Sequence, residues 1–275
     1  IFTLKTTVVR HAFIMLLVLA IRSAQCHQHK YNVINFHAAA DGKTDDAQLD
    51  GNIVAPNHIW TTEQTNLLTI HGVDNLTLDG KGEIDGQGAI WWDCYNQKRC
   101  KTRPILLGFS LCNDLWVRRI RLKNSADKHM TLFQCNQALV DSVSITAPAD
   151  SPNTDGITVA SSNSTIISNC SIQSGDDCVS ILSHTKNITV THSTCGPGHG
   201  VSVGSLGKPE RAKVEQVVVT NCSFVGTMNG VRIKSWQGGK GYAKGFLFAS
   251  LNMTEVRYPI VIDQFYCPQG NCPTK

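Results

Sequence analysis

The sequence predicts an all-β chain wound as a single-stranded parallel β-helix. Three observations carry this prediction. Short β-branched runs recur at a nearly constant interval, turn-forming polar residues separate them, and no helical periodicity lies between them. The runs are "NLTLDG" at Asn75, "NDLWVRRI" at Asn113, "NQALVDSVSI" at Asn136, "NSTIISNCSI" at Asn163, "NITVTHSTC" at Asn187 and "EQVVVTNCSF" at Glu215. From Asn113 to Asn187 the starts are 23, 27 and 24 residues apart. A second series keeps step with the first: "GITVA" at Gly156, "CVSIL" at Cys178, "GVSVG" at Gly200, "GVRIK" at Gly230 and "PIVID" at Pro259. Each coil is therefore expected to hold a strand, a turn and a second strand. A β-propeller wants about 40 residues per blade, too long a period for this chain.

Composition agrees. The 275 residues are 41% hydrophobic and 17% charged, the range of a globular chain with a large core. The net charge of +4 admits an anionic partner, but no dense Lys/Arg run argues for nucleic acid. At the N-terminus, Lys5 and Arg10 precede an apolar run from Ala12 to Ile21. This run is shorter than the roughly 20 residues of a membrane span and reads as a secretory signal peptide over residues 1–26, with cleavage after Cys26. Residues 27–275 then form the solenoid, in the extracellular space or cell wall, with no membrane contact after cleavage. Of the 11 cysteines, 10 remain without Cys26, an even number that suits disulfides in a secreted protein. Close spacing suggests Cys94–Cys100 and Cys267–Cys272, and Cys178–Cys195 would clip neighbouring segments. Glycosylation sequons begin at Asn75, Asn163, Asn169, Asn187, Asn221 and Asn252. Asn169 and Asn221 each precede a Cys, and burial is expected to block them.

The period gives two stretches a chemical meaning. "SPNTDGITV" and "SGDDCVSIL" place Asp155 and Asp177 22 residues apart, one coil, with Asp176 beside the second. Coils of a parallel β-helix stack about 4.8 Å apart, so these carboxylates are expected one above the other. His199 in "GPGHGVSVG" falls at the same phase, and Arg232 and Lys234 in "GVRIKSW" are placed there too. Clustered carboxylates suit general acid and base work because repulsion raises the pKa of one. A calcium site disfavours cations alongside; a site for an anionic substrate uses them. Solvated turn aspartates are the bland alternative, against which the phase-matched His, Arg and Lys weigh. No metal or cofactor is expected.

"NTDG", "GDDC", "GHG" and "RIK", in this order and at these separations, resemble the polygalacturonases of glycoside hydrolase family 28, the plant members above all. The resemblance runs from about Asn75 to the C-terminus. It implies a right-handed parallel β-helix and inverting hydrolysis of α-1,4 linkages in pectic galacturonan during cell-wall remodelling. By resemblance Asp176 is the general acid, Asp155 and Asp177 activate water, His199 tunes the acid, and Arg232 and Lys234 hold the substrate carboxylate. Asn153 is a further site residue. Inverting enzymes usually hold their carboxyls about 6.5–9.5 Å apart, wider than coil stacking suggests. Asp176 and Asp177 would face opposite sides of a regular strand, so both serve only if the turn is irregular.

The resemblance has gaps. The chain passes at residues 48–49 from a family-like N-terminal entry to a segment expected several coils later, and the coils after Lys275 are missing. The family's later coils carry a Tyr in the substrate site, for which no counterpart is expected here. The complete protein is expected to be a monomer. Alternatives to the glycosidase are an inactive, truncated wall-binding remnant and a pectate lyase on the same fold. The sequence does not separate endo from exo cleavage.

Overall fold

The computed structural model describes residues 2–5, 45–60, 65–208, 210–268, 270 and 272. Of the segment read as a signal peptide, only Phe2–Lys5 is among them, as a strand parallel to Asn66–His71; Cys26 lies outside the described residues. Among the described residues no helix is long and apolar enough to cross a membrane.

The chain winds through three parallel sheets, visiting each once per coil. The first sheet runs from Phe2–Lys5 through Asn66–His71, Ile105–Ser110, Met130–Phe133, Ile157–Ala160, Val179–Ile181, Val201–Leu206 and Asn229–Trp236 to Tyr258–Tyr266. The second contains the Asn-led strands, such as Asn113–Arg118, Asn136–Asp141 and Asn163–Ser168. The third is built of very short strands, such as Arg121–Lys123, Ser144–Thr146 and Ser171–Gln173. The solenoid is therefore as expected, but each coil holds three strands and not two. The long runs break because Arg119, Ser142, Asn169, His192 and Asn221 adopt left-handed backbone, with φ from 49° to 61°. Each such residue turns the chain a corner between sheets. One helix, Ala89–Asn96, was not expected; it buries Trp91 and Cys94.

Side chains alternate in and out, and the inward ones stack coil on coil. Register pairs Ile84 with Leu122, Leu122 with Ile145 and Ile145 with Ile172, all buried. Outside, polar residues stack likewise: Asn136 Nδ2 donates to Asn113 Oδ1, and Asn187 Nδ2 to Asn163 Oδ1, both at 3.0 Å. This amide ladder is the physical content of the repeated Asn.

The three anticipated disulfides are present: Cys94–Cys100, Cys178–Cys195 and Cys267–Cys272. The even count misleads for the rest, because Cys112, Cys135, Cys170 and Cys222 are buried free thiols. Each sits one residue past a left-handed corner and donates to the carbonyl two residues back, as in Cys170 Sγ to Ser168 O at 3.2 Å. Ser162 and Ser193 make the same bond. Cysteine here is an apolar-tolerant stand-in for serine. All six sequon asparagines are exposed, including Asn169 and Asn221, so burial does not block these two.

Candidate active site

The first sheet carries the site at the turn that feeds its strands. Register pairs Ile157 with Val179 and Val179 with Val201, which puts Asp155 level with Asp177 and Asp177 level with His199. The backbone confirms the stacking: Gly156 N donates to Asp177 O, and His129 N to Asp155 O, both at 2.9 Å. One coil further on, the level residue is Asn229, whose Nδ2 donates to His199 O at 3.1 Å. Arg232 and Lys234 are thus not at this phase. Arg232 is level with Ser202, and both cations reach back along the sheet.

They reach Asp177. Its Oδ1 accepts from Arg232 Nη2 at 2.8 Å and from Ser202 Oγ at 2.6 Å, and its Oδ2 accepts from Lys234 Nζ at 2.9 Å. The Asp177 side chain is 3% exposed. Asp176 faces the groove, with its side chain 20% exposed. His199 Nδ1 lies 2.9 Å from Asp176 Oδ1, and Asn153 Nδ2 donates to Asp176 Oδ2 at 3.3 Å. Adjacent aspartates serve one site because residues 174–178 are a bend, not a strand.

His199 can occupy its place only between glycines. Gly200 has φ of +82°, and a Cβ there would meet Asn229 O at 2.1 Å; a Cβ on Gly198, at φ +147°, would meet Asp176 O at 2.8 Å. His199 N then donates to Asp176 O at 2.8 Å, tying the imidazole-bearing turn to the acid it contacts.

The carboxyls differ electrostatically. Burial pushes Asp155 up to about 7, against the pull of nearby Lys128. Burial also opposes ionisation of Asp176, but the His199 hydrogen bond and charge override it and hold Asp176 at about 2. The same bond raises His199.

Several participants escape sequence reading. Lys128, one coil before Asp155 and level with it, is drawn by Asp155 and Asp127 against burial, so its ammonium is held more firmly charged. His129 is fully buried, and burial lowers it to about 4; Ser125 N donates to its Nε2, leaving Nδ1–H to donate to Asp155 O at 3.1 Å. Arg103 donates to Asn153 Oδ1 at 2.7 Å and so orients that amide toward Asp176. Tyr266 borders the cluster, with its ring centroid 5.4 Å from Lys234 Nζ. The "KTRP", "ADKH" and "QFYC" contexts hold no signal that would set these residues apart.

One ligand atom each from Asp176, Asp177 and His199 lies within 4.8 Å of the others. The set does not suit a divalent cation, because Asp177 is already bound by two cationic side chains. Nor is Asp177 placed to attack a substrate, since its oxygens are buried and engaged. What remains is an exposed carboxyl paired with an imidazole, above two buried carboxyls of which one is neutralised by cations. That arrangement is chemically able to pass protons between its members.

Comparison with known proteins identifies the family. The model of the family described as glycosyl hydrolases family 28 matches residues 25–275. A probable polygalacturonase of Arabidopsis thaliana is 44% identical over 221 residues, covering 80% of this chain and 47% of that protein. An exopolygalacturonase of Platanus acerifolia is 39% identical over 230 residues, covering 82% and 61%. The chain spans about half the length of the curated relatives it matches. Among solved structures, a polygalacturonase from Erwinia carotovora superposes with a TM-score of 0.74 at 27% identity, covering 82% of this chain and 68% of that one. Its right-handed parallel β-helix is also the architecture of this chain. With the solenoid, the ordered motifs and a family match over residues 25–275 in agreement, the chain belongs to the glycosyl hydrolases of family 28.

Proposed function

We propose that the chain is a secreted polygalacturonase-type glycosidase that hydrolyses α-1,4 bonds between galacturonosyl units of pectin with inversion. The observation that carries this reading is the cluster in which Asp176, paired with His199, stands in the groove over buried Asp155 and Asp177. The cations on Asp177 and the names of the relatives support an anionic pectic substrate.

In this mechanism Asp176 delivers a proton to the glycosidic oxygen. Before substrate binds, Asp155 carries a proton below about pH 7, and Asp176 is ionised. In a coupled cluster that resting address does not choose the donor; access does. Asp176 is the carboxyl that reaches the groove, and raised His199, 2.9 Å away, can recharge it. Once the cluster's proton stands on Asp176, Asp155 is ionised and deprotonates the water that attacks the anomeric carbon, while Asp177, engaged by Arg232, Lys234 and Ser202, holds its charge beside that water. Asn153 fixes Asp176, and Arg232 and Lys234, whose charges border the groove beside Tyr266, meet the substrate carboxylate. Secretion is supported by the apolar N-terminal run, the three disulfides and the exposed sequons.

Reducing-end release from polygalacturonate tests the proposal. Asp176→Asn should abolish release, by about 10²-fold or more for a lost general acid, with the circular dichroism spectrum unchanged. Full activity in that variant would refute the assignment.

A further inference from the structure

Beside Asp176 the groove opens toward the earlier coils into a cleft of about 480 Å³. Trp60, Trp91, Tyr95, Lys101, Lys128 and Asn153 line it. Asn153 belongs to both regions: it borders the cleft, and its amide donates to Asp176 Oδ2 at 3.3 Å. The cleft therefore adjoins the acid–base cluster through Asn153.

Arg103 and Lys128 on this side are engaged differently. The Arg103 guanidinium is committed to the protein. It donates to Ala126 O at 2.9 Å, Pro152 O at 2.6 Å and Asn153 Oδ1 at 2.7 Å, and it lies 4.0 Å over the Tyr95 ring. Lys128 has a lighter load. Its ammonium donates to its sequence neighbour Asp127 at 3.4 Å, and the side chain is 28% exposed. An ammonium has three donors, and Asp127 occupies one.

Register fixes where Lys128 stands along the groove. It is level with Asp155 and one coil before it, hence two coils before Asp177 on the N-terminal side and about 10 Å from Asp177 along the axis. Arg232 and Lys234 come from the coil beyond His199. Cations thus flank the carboxyl cluster on both sides. A polymer bearing one carboxylate per unit, lying along the groove, meets a positive charge before and after the bond to be cut.

We propose that Lys128 is a specificity-determining residue that binds the carboxylate of a galacturonosyl unit on the opposite side of the scissile bond from Arg232 and Lys234. The inference rests on the galacturonan reading above. It implies selection against methyl-esterified units at that position, because an ester carries no charge for the ammonium to meet.

The test is calorimetric titration of a galacturonate hexamer into the Asp176→Asn protein with and without Lys128→Gln. The lysine-free protein should bind roughly 10- to 100-fold more weakly, the effect of losing one charge-assisted hydrogen bond. The fully methyl-esterified hexamer should bind both proteins equally. Equal affinity for the unesterified hexamer overturns the proposal. So does an equal loss on the esterified one, which would mean that Lys128 acts through Asp155 and not on the ligand. Turnover by the unsubstituted chain separates this from the broader reading. If it releases reducing ends and Lys128→Gln binds normally, only the role of Lys128 falls. If it releases none while Lys128→Gln still weakens binding, only the catalytic reading falls. Failure of any galacturonate oligomer to bind overturns both.

Discussion

Asp176 and Asp177 are neighbours in sequence and opposites in setting. Asp177 turns inward onto Arg232, Lys234 and Ser202, whereas Asp176 turns outward onto His199 and Asn153. Asp155, buried one coil below, is pushed up to about 7, while Asp176 is held at about 2. A reaction that needs one carboxyl protonated and another ionised runs between those limits. As pH falls toward the lower limit, Asp176 takes a proton while Asp155 keeps its own, and neither is left to take one from water. As pH rises through about 7, Asp155 loses its proton, and the cluster has none to give. The profile of kcat/KM against pH should be bell-shaped, highest in mild acid and falling above about pH 7. A profile flat from acid to neutral pH contradicts this assignment. The acidic residues were legible because they recur at the coil period. Lys128, His129 and Arg103 were not, since each acts through a neighbour in another coil that no local pattern announces.

The strand that sequence reading missed is a matter of corners. A run such as "NQALVDSVSI" is apolar and β-branched across its length, and nothing in its alternation shows that left-handed Ser142 divides it into Asn136–Asp141 and Ser144–Thr146. The same corners explain the cysteines. A small side chain that donates two residues back satisfies a carbonyl at the bend, and Ser or Cys serves equally. Cys170→Ser should therefore change stability by no more than about 1 kcal/mol. Thermal unfolding of the variant checks this; a loss above about 3 kcal/mol would mean that the sulfur fills volume that oxygen cannot. Cys112, Cys135, Cys170 and Cys222, all buried, should react with a thiol reagent only after unfolding. Paired cysteines, by contrast, were readable where the loop is short or the two segments are neighbours.

A solenoid is a stack, and its terminal strands show what the interior hides. Among the described residues Tyr258–Tyr266 is the last strand of the first sheet, and along it Ile262 and Phe265 are 71% and 72% exposed. Next to it Ile233, Tyr242, Phe246 and Ile262 line an opening of about 370 Å³. An apolar edge with unpaired backbone groups templates pairing with another chain. The sequence as given should self-associate, and Ile262→Lys should reduce this, as read by light scattering. A chain that stays monomeric without the substitution would contradict the argument. At this scale the period between successive coils made the architecture legible, because it is a property of the whole chain and survives local irregularity. The most direct test of the central claim is the configuration of the first product. Asp177 is buried and fully engaged, so water and not a carboxylate should attack the anomeric carbon. Proton NMR of polygalacturonate during the first turnovers should show new reducing ends in the β configuration, relaxing later to the anomeric mixture. New ends that appear first as α, or an unsaturated product in place of a reducing sugar, would contradict the account.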